Sequence, residues 1–144
     1  MFVGEYHRSR DNKGRVFIPA KFRENLIGGA YVSKGFDEQC LFLYPKENWK
    51  NLGEIISGGP ITRIENQRFK RIFFSKASEA EIDQQGRIKI PQNLAEIAEL
   101  EKEVVLVGVS ERIEIWAKDK WEKYSSEAES KFYQDKSNFE KLGF

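Results

Sequence analysis

The sequence predicts an α+β fold, mainly β, made of two tandem copies of one small module. The first observation is repetition. Asp11-Asn12-Lys13-Gly14-Arg15-Val16-Phe17-Ile18-Pro19 returns 72 positions later as Asp83-Gln84-Gln85-Gly86-Arg87-Ile88-Lys89-Ile90-Pro91. The same offset, without a gap, carries Phe22 onto Leu94, Leu41 onto Ile113, Leu43 onto Ile115, Tyr44 onto Trp116, Lys46 onto Lys118 and Trp49 onto Trp121. The second is alternation: Val16 and Ile18, and again Ile88 and Ile90, are spaced as a half-buried strand requires. The third is size. With 144 residues the chain fits one domain or two very small ones. A module of roughly 45 residues buries too little surface to stand alone, so the copies are expected to pack on each other.

Each copy is expected to run through the same elements. A short strand enters an Asp-x-x-Gly turn, where the Asp side chain can accept from backbone amides just after it and the Gly tolerates a positive φ. A second strand follows, then Pro19 or Pro91, which ends a strand and suits a helix start. Phe22 and Leu26, and Leu94 and Ala98, are i, i+4 pairs of short helices, and Gly28-Gly29 stops the first. Two further strands are expected near 30–34 and 40–44, and near 103–107 and 113–117, with matched short helices at 46–52 and 118–124. Ser57-Gly58-Gly59-Pro60 is a break, and Ile64, Phe69, Ile72 and Phe73 predict a joining helix that packs on both halves. In the tail, Trp121, Tyr124, Ala128 and Phe132 can line one helical face. The organisation is therefore module one at 5–48, a connecting helical segment at 49–75, module two at 76–120 and a helical tail at 121–144.

Charge is informative locally rather than globally. The formal net charge is only +1. Residues 1–23, however, carry Arg8, Arg10, Lys13, Arg15, Lys21 and Arg23 against Glu5 and Asp11, and residues 62–76 carry five basic groups against Glu65. Residues 77–103 lean acidic, with seven carboxylates against three basic groups. Surfaces of opposite sign suit a DNA face and subunit contacts, or are ordinary solvated charge. The single cysteine, Cys40, rules out an intramolecular disulfide and sits in an apolar run as a small core residue. Met1-Phe2-Val3-Gly4-Glu5 does not read as a leader, and no run approaches the ~20 apolar residues of a membrane span. The expectation is a cytosolic protein.

These segments resemble the MraZ family, whose chains carry two SpoVT-AbrB-type modules. The resemblance rests on Asp11-x-Lys13-Gly14-Arg15 with Pro19 and Arg23, on Cys40-Leu41-Phe42-Leu43-Tyr44-Pro45, on Ala77-Ser78-Glu79 leading to Asp83-x-x-Gly86-Arg87, and on Glu103-Val104-Val105-Leu106-Val107-Gly108 before Glu114-Ile115-Trp116. It implies a duplicated swapped-hairpin AbrB-like β-barrel, a double-split β-α-β arrangement with pseudo-twofold symmetry inside one chain and flanking short helices. It also implies a cytoplasmic, nucleoid-associated transcriptional regulator, usually a repressor, of the division and cell wall gene cluster. Such proteins assemble into homo-oligomeric rings and bind promoter DNA through the Asp-x-x-Gly-Arg loops.

Carried onto this chain, the DNA-binding residues are Arg8, Arg10, Lys13, Gly14, Arg15 and Arg87, with Asp11, Asp83 and Gly86 structuring the loops. The chemistry is coherent: a guanidinium at a hairpin tip can take O6 and N7 of guanine, while nearby cations neutralise phosphates and set register. Copy two has Gln85 for Lys13, and Glu79 and Glu81 for His7 and Ser9, so copy one is expected to be the stronger DNA surface. Arg15 and Arg87 could instead brace their own loops by pairing with Asp11 and Asp83. Arg23 could pair with Glu24, meet a neighbouring chain or touch DNA.

Other functions have weaker support. One histidine, His7, and one cysteine are too few for the usual triads or zinc sites, and Gly58-Gly59-Pro60 is not a phosphate loop. No enzyme, cofactor, metal, membrane or small-molecule substrate is expected. The serious alternative is a ring-forming or protein-binding scaffold without direct DNA readout. An antitoxin-like module is less favoured, because those are typically shorter with one copy. RNA binding is less favoured too, for lack of stacking aromatics beside the basic tips.

Overall fold

The computed structural model describes residues Met1–Phe144. Copy one supplies β1 (Phe2–Ser9), β2 (Arg15–Phe17), the one-turn helix α1 (Ala20–Arg23) with a 3-10 turn after it, β3 (Ala30–Lys34) and β4 (Leu41–Pro45). Helices α2 (Lys46–Ser57) and α3 (Ile64–Lys76) lead to copy two. There the pattern repeats as β5 (Ser78–Ala80), β6 (Arg87–Lys89), α4 (Gln92–Ile97), β7 (Glu103–Ser110) and β8 (Arg112–Ala117). Helices α5 (Lys118–Phe132) and α6 (Lys136–Lys141) follow. Pro19, Pro45 and Pro91 each stand immediately before a helix, with φ between −51° and −57°.

The duplicated α+β fold is borne out, and the copies are interleaved. The six-stranded antiparallel sheet has the order β1-β7-β8-β4-β3-β5, and β2 and β6 form a separate two-stranded ribbon. The first strand of each copy thus pairs with the third strand of the other: β1 with β7, and β5 with β3. Two pairs join residues that the repeat makes equivalent, Val16↔Ile88 in the ribbon and Phe42↔Glu114 between β4 and β8. The pseudo-twofold axis passes through both. Across it, Ile18 N–H donates to the Gly86 carbonyl and Ile90 N–H to the Gly14 carbonyl, each at 2.9 Å.

Strand alternation explains where the core sits. Val16 and Ile88 point inward from the ribbon, and Leu41, Leu43, Ile113 and Ile115 point toward them from the sheet, all within one cluster of 19 buried residues. The opposite face of the sheet carries Cys40, Phe42, Tyr44 and Trp116, covered by Trp49 and Leu52 of α2 and Trp121 of α5. The ribbon therefore lies on one side of the sheet and the long helices on the other. Cys40 is a core residue, and burial pushes its thiol pKa far up, away from nucleophile chemistry.

Several elements depart from expectation. Helix α2 continues five residues past position 52, to Ser57. In α3 only Phe73 is fully buried, packed with Phe36, Phe69 and Trp49, whereas Ile64 and Ile72 are exposed. Helical spacing placed those isoleucines near one stripe, but the surface the helix meets is narrow and aromatic. In the tail, Tyr124 stacks on Trp116 at 5.0 Å, while Phe132 is exposed and touches only Tyr133 and Phe139 among aromatic rings.

The β1–β7 pair contains a close approach. Gly108 lies opposite Gly4, and a Cβ added at Gly108 would stand 2.5 Å from the Val3 nitrogen and 2.6 Å from the Phe2 carbonyl carbon. Backbone cannot swing aside as a side-chain tip can. Gly108→Ala is therefore expected to destabilise by about 3 kcal/mol, lowering the melting temperature by on the order of 10 °C. Thermal unfolding followed by circular dichroism checks this; an unchanged midpoint would show that β1 yields freely.

Candidate nucleic-acid interface

The two loops are built alike. In the first, Asp11 Oδ1 accepts the amides of Lys13 at 2.9 Å and Arg15 at 2.8 Å, and its Oδ2 accepts Arg15 Nε at 2.6 Å. In the second, Asp83 accepts the amides of Gln85 and Arg87 and the Arg87 Nε, each at 2.9 Å. Gly14 and Gly86 close the turns with φ of +79° and +85°, a region that side chains disfavour. Each arginine thus pairs with the aspartate of its own loop, and each aspartate also accepts two backbone amides of its turn.

Bracing does not consume the arginines. Asp11 and Asp83 engage Nε, leaving the two terminal nitrogens of Arg15 without a protein hydrogen bond; one terminal nitrogen of Arg87 stands 4.0 Å from Asp11. That terminal edge is the one that can grip two acceptors side by side. The Arg15 side chain is 29% exposed and that of Arg87 18% exposed.

Because Val16 and Ile88 face the core, their neighbours face out. The outer surface of the ribbon carries Arg15 opposite Lys89 and Phe17 opposite Arg87. Beside it an open groove of about 800 Å³ is lined by Arg10, Lys13, Lys89 and Lys102 against Asp11 and Glu101. The groove beside the second loop holds Arg23, Leu26 and Ile82 with Glu81 and Asp83. The cationic bias therefore lies at the first loop, where Lys13 is exposed at the tip.

The remaining predicted residues are placed differently from one another. Arg10 is built into the fold: its Nη1 donates to the Leu100 and Glu101 carbonyls, each at 3.2 Å, and its Nε is buried without a partner. Arg8 sits on β1, its guanidinium over Tyr6 and donating to the His7 carbonyl. His7 is exposed and pairs with Glu5 at 2.8 Å. Arg23 does not pair with Glu24; its Nε donates to the Ile18 carbonyl at 2.8 Å, and its guanidinium lies over Gly86. It ties α1 to the loop of the other copy.

Sequence reasoning missed Lys89 and Phe17 as surface partners of the arginines. The signal was present: Ile88 in the core forces Arg87 and Lys89 to one outer face. What sequence did not show was the pairing of β2 with β6, which brings the two copies' outer faces into one patch.

The loop electrostatics give a pH prediction. The Arg15 amide, and then its side chain and the Lys13 amide, hold the Asp11 carboxyl at about 2, against an ordinary 3.8. A depressed carboxyl contributes stability that is complete above 3.8 and lost as pH falls through about 2. Asp11→Asn lacks this titration, so it is expected to be less stable near neutrality and to lose less further stability between those values. Parallel acid-unfolding curves for the two proteins would contradict it.

Comparison with known proteins agrees with this architecture. A family model described as "MraZ protein, putative antitoxin-like" matches twice in tandem, over residues 1–72 and 73–141. The chain is 48% identical over 134 residues to the "Transcriptional regulator MraZ" of Desulforamulus reducens, covering 93% of this chain and 94% of the relative. It is 52% identical over 132 residues to the protein of that name from Pelotomaculum thermopropionicum, covering 92% and 90%. It is 50% identical over 128 residues to that of Heliobacterium modesticaldum, covering 89% of each. With both repeats matched and such relatives aligned along nearly their whole length, the chain belongs to the MraZ family.

Proposed function

We propose that this protein is a sequence-specific DNA-binding transcriptional regulator, acting as a repressor on promoter direct repeats of the division and cell wall gene cluster. The observation that carries the reading is the outer face of the β2–β6 ribbon, where Arg15, Arg87 and Lys89 share one solvent-facing patch. The major groove of B-DNA is wide enough to admit a two-stranded ribbon. Arg15 and Arg87 read guanine edges; Lys13 and Lys89 meet phosphates; Arg8 and Arg10 support the same surface from β1 and the loop root. The relatives' name, transcriptional regulator, supports the class of activity.

The protein works in the cytoplasm on nucleoid DNA as a homo-oligomeric ring. Exposed Ile55, Ile64 and Ile72 on the helical side, away from the ribbon, suit contacts between copies. A ring offers many ribbons to spaced DNA repeats, which raises overall affinity through effective concentration. No catalytic step is assigned to it.

The test is footprinting and gel shift on the DNA upstream of its own gene across a salt series. Protection of spaced repeats is expected, with affinity falling steeply as salt rises because lysine and arginine contacts release counterions. A purified oligomer that protects no DNA at low salt would favour the scaffold reading instead.

A further inference from the structure

The ribbon's outer face breaks the symmetry that its backbone keeps. The repeat makes Arg15 equivalent to Arg87, and Phe17 equivalent to Lys89. Pairing then sets Arg15 opposite Lys89 at one end, and Arg87 opposite Phe17 at the other. Phe17 is 48% exposed although it flanks a fully buried Val16, and the Arg87 guanidinium carbon lies 5.7 Å from its ring centroid. An apolar ring held on the outer face beside a guanidinium has no core to join.

We propose that Phe17 is a specificity-determining residue that packs on the C5-methyl group of a thymine beside the guanine read by Arg87, giving the bound DNA site a direction. This rests on the DNA-binding reading above and deepens it. In the major groove each base pair shows a distinct edge, and the thymine methyl is its one apolar feature; phenylalanine is among the side chains that meet it. Lys89, at the equivalent place, offers charge to a phosphate or to guanine instead. One end of the ribbon therefore favours an arginine-plus-methyl step and the other an arginine-plus-lysine step. The basic groove of Lys13, Lys89 and Lys102 lies at the lysine end, so phosphate contacts reinforce the same polarity. A symmetric ribbon would prefer an inverted half-site; this one prefers an oriented one.

The experiment uses the full chain and duplexes selected by it from a random library at low salt. In the selected duplex each thymine is replaced in turn by deoxyuridine, which removes only the methyl group. One replacement is expected to weaken binding by about fourfold, the contribution of one buried methyl. Phe17→Ala should bind the thymine and uracil duplexes alike, while Lys89→Ala should keep the distinction. Phe17→Lys gives both ends of the ribbon an arginine-lysine pair, so its selected sites should lose the thymine preference beside the guanine read by Arg87, while the polarity set by the Lys13 and Lys102 groove remains. Binding that ignores every methyl group, or a methyl preference that survives in Phe17→Ala, overturns the assignment and leaves the regulator reading standing. So does a Phe17→Ala protein whose only change is its oligomeric state. Failure of the full chain to select any duplex would instead remove the DNA-binding reading, and this assignment with it.

Discussion

A fragment ending at residue 75 is expected to be unfolded at low micromolar concentration, although it contains one entire copy of the repeat. Every partner of β1 is on β7, and the partner of β2 is β6. Strand β3 would lose β5, and β4 would lose β8. The one strand pair left inside the fragment is β3–β4, and an isolated hairpin is marginal in water. Ten of the 19 residues in the main core cluster lie beyond position 76, from Ala80 to Ile115. What remains cannot offset the entropy of ordering the chain. Two fragments can nevertheless restore the arrangement for each other, because equivalent strands occupy equivalent places across the pseudo-twofold axis. Circular dichroism and sedimentation should show structure appearing only as concentration rises, the mark of folding coupled to association. A cooperative monomer would mean that the exchanged strands are dispensable.

That dependence also explains how much was legible in the sequence. Local patterns were readable because they are set by neighbours: Asp11 and Asp83 accept the amides just after them, and Val16, Ile18, Ile88 and Ile90 are buried as their alternation requires. The repeat made the pseudo-symmetry visible. Partner choice was not visible from residues alone, since β1 offers no local reason to choose β7 over β3; the exchange came from the family resemblance. For the same reason the sequence left the partner of Arg23 open, because its contact with Gly86 exists only once α1 meets the other copy's loop. Arg10 looked like another free cation of the basic amino-terminal run, but the turn after Leu100 folds its carbonyls onto that guanidinium. The helix-side aromatics were partly legible: Trp49 and Trp121 are inward as a pair, while the exposure of Ile64 and Ile72 depends on how narrow a surface α3 meets.

Arg15→Ala is expected to weaken binding to a selected duplex by roughly 5- to 150-fold, the range for one lost bidentate base contact of about 1–3 kcal/mol. It should also relax selectivity at one base pair. Lys13→Ala should behave differently, weakening all duplexes alike and reducing the salt slope by about one. The geometry adds a third arm. Asp11 holds Arg15 by Nε and leaves the terminal edge for guanine, so the carboxylate both aims the guanidinium and partly neutralises it. Asp11→Asn removes the negative charge and weakens the aim. If aim dominates, specific affinity falls while non-specific affinity at low salt rises, and the ratio between them shrinks. If charge dominated, both would rise together. The loop bonds favour aim: two amides and one guanidinium converge on a single carboxylate, and an arginine freed from it must lose rotamer freedom again each time it meets a base. Gel shifts of the three variants against selected and scrambled duplexes measure both affinities. A selected-to-scrambled ratio in Arg15→Ala equal to that of the parent would mean that this arginine holds its loop and reads nothing.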